Sequence, residues 1–163
     1  MLNSKRGFSL VELLVFVSIL SIFFIMAASV VTVSLKNMKF NENKIRATHY
    51  AGQVSEWLRA QKEVNWGGEY CNGCASPVSF TEMASASGNQ TTYCFNTNPI
   101  DNWQSSGECP DFGLDSLFKR EILFTMTPTG GYVGEVSSTI TVSWLDLGQE
   151  RSIVTNTTYT VLE

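Results

Sequence analysis

Four cysteines, one isolated glutamate and a scatter of carboxylates are the side chains of this sequence best placed to do chemistry. Cys71 and Cys74 form a C-x2-C pair, Cys94 follows after 19 intervening residues, and Cys109 after a further 14. A zinc ribbon needs a second close pair, which this spacing lacks. The single histidine, His49, lies well upstream, which argues against a Cys3His site, and it reads as a surface or packing residue on a helix. A redox C-x-x-C needs a following helix to lower the thiol pKa. Here Gly73 inside the motif and Pro77 soon after it read as loop. Two disulfides in an exported domain are the expectation, with three pairings of Cys71, Cys74, Cys94 and Cys109 open. Asp101, Glu108, Asp111 and Asp115 supply oxygen ligands of the kind calcium takes, but no D-x-D-x-D-G run orders them. There is no phosphate-binding glycine loop and no G-x-S-x-G. The reading is a non-enzyme with no catalytic residues, no metal ligands and no cofactor.

The elements that must carry these residues differ sharply. The chain has 163 residues and a net charge of -4, but from Phe8 to Leu35 its only ionisable side chain is Glu12. This apolar run of 28 residues is too long for a secretory h-region. At about 1.5 Å per residue it reaches roughly 42 Å as a helix, more than the ~30 Å hydrocarbon layer. It reads as a membrane-spanning helix, since the hydroxyls of Ser9, Ser18, Ser21, Ser29, Thr32 and Ser34 can bond to helix carbonyls one turn back. Lys5 and Arg6 before it predict a cytoplasmic N-terminus, a bias that Lys36, Lys39 and Lys44 beyond it weaken. A carboxylate inside an apolar span is costly and marks a functional position. Alternatively, Glu12 lies close enough to the interface to reach water, favoured by the helix dipole.

The run Arg6-Gly7-Phe8-Ser9-Leu10-Val11-Glu12-Leu13-Leu14, followed by an unbroken apolar helix, resembles the processing motif of type IV prepilins and type II secretion pseudopilins. The resemblance implies a leader of residues 1–7 with basic residues Lys5 and Arg6. A membrane-embedded prepilin peptidase would cut between Gly7 and Phe8 and N-methylate Phe8. Cleavage also creates an α-amine, and the family's logic pairs the Glu12 carboxylate with that amine on a neighbouring subunit, setting axial register during assembly. The implied partners are the peptidase, other pilin subunits and an inner-membrane assembly platform. The implied fold is α+β, a long N-terminal helix, transmembrane in its first half, packed on a C-terminal antiparallel sheet of about four strands. One departure stands out: many pilins have a helix-breaking Gly or Pro in the apolar run, and between Phe8 and Lys36 this chain has neither.

Beyond the span the helix is expected to continue over residues 36–64, with Ile45, Ala51, Val54, Trp57, Leu58 and Gln61 as its apolar stripe. Asn65, Gly67 and Gly68 end it. Residues 65–163 form the head. Its first part, 69–117, reads as loop held by disulfides, with a short strand at Thr91–Asn96. Strands follow over 121–163, at Glu121–Thr127, Ser138–Trp144 and Ser152–Val161, the last two joined by a glycine-containing hairpin loop. The C-terminal hairpin and the Trp57 and Trp66 region also resemble minor pilins of the PilV type, a weaker likeness of composition and order.

From Gln61 onward the head has 4 cations and 12 acids, a sign that repels nucleic acid at long range. The leading expectation is a minor pilin or pilin-like subunit of a type IV filament, anchored in the inner membrane with an extracytoplasmic head. A type II secretion pseudopilin and a membrane-anchored binding domain that never assembles are the alternatives. No ligand of the head can be read from the residues.

Overall fold

The computed structural model describes residues 9–67, 79–129 and 132–160. Lys5, Arg6, Gly7, Phe8, Cys71 and Cys74 lie outside the described residues. The chain divides into two compact units, Met1–Glu42 and Asn43–Glu163.

One helix, α1 (Leu10–Val64), runs through both units without a break. Its sequence explains the continuity: Gly52 is its only glycine, and it contains no proline, so no residue removes a ladder hydrogen bond. In the first unit every side chain from Leu10 to Lys39 is exposed. A helix that is apolar all round either spans a membrane or sits in a large core. By length and composition α1 is the one helix among the described residues able to cross a membrane. Four of its hydroxyls bond to carbonyls within the helix. Ser18 donates to the Leu14 carbonyl at 2.8 Å, Ser21 to Val17 at 2.8 Å, Ser29 to Met26 at 2.7 Å and Thr32 to Ala28 at 2.9 Å.

In the second unit α1 acquires one buried stripe: Asn43, Ala47, Tyr50, Ala51, Val54, Leu58 and Lys62. Ala51, Val54 and Leu58 are the expected residues. Ile45 is not part of the stripe and is 70% exposed, because two residues advance a helix by about 200° and turn it away from Ala47. Trp57 is half-buried at the stripe's margin.

The sheet is an antiparallel meander in the order β1-β2-β3-β4. Its strands are β1 (Gln90–Cys94), β2 (Phe118–Thr129), β3 (Tyr132–Asp146) and β4 (Gln149–Thr160). Side chains alternate across it with period two. Phe118, Ile122, Phe124 and Met126 of β2 and Val136, Ile140, Val142 and Trp144 of β3 are buried. The β3–β4 hairpin is tighter than the expected loop: Leu147 and Gly148 alone turn the chain, at φ 52° and 80°. Positive φ at both central positions is the pattern that matches strand twist. Strand β3 begins earlier than the alternation in 138–144 indicates. A short helix, α2 (Phe80–Ala84), stands where loop was expected; Ser79 and Glu82 cap each other across its first turn. Two hydrogen bonds to Ser79 hold the Glu82 carboxyl below its usual range.

An aromatic layer fills the space between these elements. Phe80 of α2 stacks on Trp66 at 5.7 Å and meets Tyr159 edge-on at 5.2 Å. Trp103, from the β1–β2 connection, lies 5.1 Å from Trp57 and 5.5 Å from Tyr93. Such pairs add ~0.5–1.5 kcal/mol each beyond area burial.

Among the described residues the most deeply buried charged side chain is Arg120 of β2, at 0% exposure. Its Nη1 donates to the Tyr50 carbonyl of α1, its Nε to Phe95 and its Nη2 to Thr97, each at 2.8 Å. Burial pushes the guanidinium down to about 10, so it remains a cation at neutral pH. The architecture is that of a type IV pilin-like α+β fold, with the second part of a long helix laid on a four-stranded antiparallel sheet.

Arg120→Ala would leave two buried carbonyls, of Tyr50 and Phe95, without this donor, each worth ~1–3 kcal/mol, and would remove the part-buried bond to Thr97 as well. A loss of at least about 3 kcal/mol is expected, with a smaller loss for Arg120→Lys. Denaturant titration of the full chain in detergent, followed by tryptophan fluorescence, measures both.

Candidate functional site

The residue singled out by chemistry, Glu12, lies in the first turn of α1 and is exposed. Ser9 precedes it and its carbonyl accepts from the Leu13 amide at 3.1 Å, so the helical bonding begins there. The first backbone N–H groups of a helix have no partner within it and carry partial positive charge, which favours a carboxylate at this position. Downstream, Leu13, Leu14, Phe16, Ile19, Phe23, Phe24 and the other side chains to Leu35 are exposed. A segment with one acid at its tip and apolar groups on all sides is suited to two settings, lipid or a sheath of like helices.

The other described residues with chemical potential belong to the second unit. Cys94, at the end of β1, is bonded to Cys109 across a separation of 15 residues, with Cα atoms 4.9 Å apart. The disulfide fastens the β1–β2 connection against β1. There the Gly107 amide donates to the Thr92 carbonyl at 2.8 Å and the Cys94 amide to Ser105 at 3.3 Å. The Cys109 amide donates to Glu121 Oε1 at 2.7 Å.

The acidic residues do not converge. Among the described residues no group of three or more His, Cys, Asp or Glu side chains is arranged to hold a metal ion. Asp115 instead faces the helix: its Oδ2 accepts from the Tyr50 hydroxyl at 3.4 Å and lies 3.7 Å from Arg46 Nη1. Burial, reinforced by Asp115, raises the Tyr50 pKa. Tyr50, Asn96, Asn98, Gly113, Leu114 and Asp115 line a polar cleft of about 380 Å³. His49 is on the exposed side of α1, 3.3 Å from Gln53. A second cleft of about 240 Å³ lies between α1 and β4, lined by Arg59, Lys62, Glu63, Thr157, Thr158 and Tyr159. Sequence reasoning found neither cleft, since each draws on residues far apart in the chain.

Residues 2–28 match the family model of the prokaryotic N-terminal methylation motif. The chain thus carries the N-terminal signature of prepilins and pseudopilins, a structural rather than an enzymatic motif. Searches of curated proteins and of solved structures found no match to this chain.

The disulfide generates its own expectation. Closing a loop of this length is worth ~3 kcal/mol. The double variant Cys94→Ser/Cys109→Ser should lose about that much stability and become insensitive to its loss on reduction. Thermal melts of the full chain with and without reductant read both effects.

Proposed function

We propose that this chain is a minor pilin or pilin-like structural subunit of a type IV filament, made as a precursor and assembled through the first half of α1. The observation that carries the proposal is the conjunction of the methylation motif with a helix exposed and apolar on every side from Leu10 to Leu35. In this reading residues 1–7 are a leader, with Lys5 and Arg6 held at the cytoplasmic face. Prepilin peptidase cuts between Gly7 and Phe8 and methylates Phe8. Gly7 suits a cut site because it presents no side chain to the enzyme. Residues 8–35 are the membrane anchor and later the filament core. Residues 36–64 join the anchor to the extracytoplasmic head, 65–163.

Glu12 becomes intelligible once Phe8 is a terminus. An isolated carboxylate in lipid is unfavourable, and a desolvated pair with an α-amine on a neighbouring subunit is strongly coupled. Such a pair sets the axial offset between subunits while the apolar surface supplies non-specific adhesion. The disulfide in the head fits an oxidising compartment outside the cytoplasm. The acidic head suits contact with proteins or solvent better than contact with nucleic acid.

Mass spectrometry of the mature N-terminus tests the processing step. The expected product begins at a methylated Phe8; an intact Met1, or a cut beyond residue 25, removes the prepilin reading.

Assembly has a separate test. Glu12→Ala should be cleaved as efficiently as the parent yet enter filaments at least about tenfold less, measured by immunoblot of sheared filaments against membranes. Normal incorporation would eliminate the pairing role.

A further inference from the structure

The apolar segment ends on charges that the assembly role does not use. Between Glu12 and Lys36 the sequence has no ionisable side chain, and the next three are Lys36, Lys39 and Glu42. Cations just beyond a span oppose the orientation that Lys5 and Arg6 favour, because the positive-inside bias counts residues near both ends. In the reading proposed above, cleavage removes Lys5 and Arg6 with the leader. The mature chain then has no side-chain cation before Lys36. A bias of this kind calls for an offsetting partner where the helix leaves the membrane.

Helix geometry points to the partner's chemistry. Helix α1 is continuous from Leu10 through Glu42. If it enters hydrocarbon at Glu12, it leaves the ~30 Å layer about 20 residues later, near Thr32. Lys36 then lies roughly 6 Å beyond the hydrocarbon edge and Lys39 roughly 10 Å. A headgroup layer about 5–7 Å deep begins at that edge. Side chains on a helix lean toward its N-terminus, so both lysine stems lean back toward the membrane while their ammonium groups stay in the polar layer. Both lysines are exposed. Three residues apart, they are neighbours on one side of α1 and repel each other. Lys39 Nζ lies 3.1 Å from Glu42 Oε2 in an exposed pair, of the kind that water and salt weaken. A phosphate reached by both ammonium groups replaces their repulsion with attraction.

We propose that Lys36 and Lys39 bind phosphate headgroups of anionic lipid on the leaflet where α1 leaves the membrane. This rests on the membrane-anchor reading given above. The contact holds the subunit at one depth before assembly and is given up when the helix leaves lipid.

The test reconstitutes the full chain in phosphatidylcholine vesicles. Electron spin resonance compares spin-labelled phosphatidylglycerol with spin-labelled phosphatidylcholine at the protein boundary. A Lys5→Gln/Arg6→Gln background keeps the leader cations from contributing. There phosphatidylglycerol should be favoured at least about threefold. Adding Lys36→Gln/Lys39→Gln should abolish the preference, and Lys36→Arg/Lys39→Arg should keep it. A preference that survives the glutamine pair overturns the proposal; if that pair also enters filaments poorly, the lysines serve an acidic neighbouring subunit instead. A preference lost to inorganic phosphate, but not to chloride at equal ionic strength, marks a free-anion site and overturns it too. Alkaline carbonate separates the two levels of failure. A parent chain released from the vesicles removes the anchor reading and this proposal together, whereas a retained chain with no lipid preference removes this proposal alone.

Discussion

A single cation inside the head ties together what the backbone alone would leave separate. The Arg120 guanidinium is fully buried and, among the described residues, is paired with no carboxylate; it is solvated by carbonyls of Tyr50, Phe95 and Thr97. Burying an ion is expensive, and its cost is offset only where the acceptors are already fixed in the right geometry. Each acceptor belongs to a different part of the head: the helix, the residue just after β1, and the loop beyond it. Arg120 itself comes from β2, and its own amide donates to Asn96 Oδ1 at 3.0 Å. The helix therefore cannot slide along the sheet, and the β1–β2 connection cannot lift, without exposing an unsolvated charge. Tyr50 adds to this constraint, with its ring 6.0 Å from the guanidinium and 5.3 Å from Phe118.

Helix α1 has two parts of different character. Its first part has no inward side; its second has a single buried stripe beginning at Asn43. The two parts obey different physics, one governed by lipid or neighbouring helices and the other by packing on a sheet. The absence of Gly and Pro between Leu10 and Leu35 keeps the intrahelical ladder complete where water is excluded and an unpaired amide would cost several kcal/mol. A subunit of this kind would bring an intact helix into a filament, in contrast to pilins whose helix carries a breaker.

Most of the architecture was legible because the period of the apolar residues was. The uninterrupted apolar run announced the first unit, and the alternation Ile140, Val142, Trp144 announced the middle of β3. The start of β3 was hidden because Gly134 and Glu135 break that pattern, and pairing with β2 overrides it. Helix α2 carried a readable signal, the S-x-x-E of Ser79-Phe80-Thr81-Glu82, but five residues are too few for periodicity to register. Ile45 was misplaced by counting spacing without fixing the phase of the stripe. Arg120 lies just before the expected strand Glu121–Thr127, so its place in step with Phe118 and Ile122 on the core face was not read. Nor were its partners, since carbonyls at Tyr50 and Thr97 have no sequence signature. The clefts, and the pairing of Cys94 with Cys109, depend on how distant segments fold back on one another. For the N-terminal segment the motif was strong, and the structure adds the exposed setting of Glu12.

The strip that covers β1 has a consequence best put in the language of polymer chemistry. A sheet with one free edge is monofunctional: it can join another strand once, and growth stops there. A sheet with two free edges is bifunctional and can extend without limit. In the head, the Cys94–Cys109 bond and two backbone hydrogen bonds hold Ser105–Gly107 over the outer side of β1, which makes that edge a capped end, with no valence left there for a further strand.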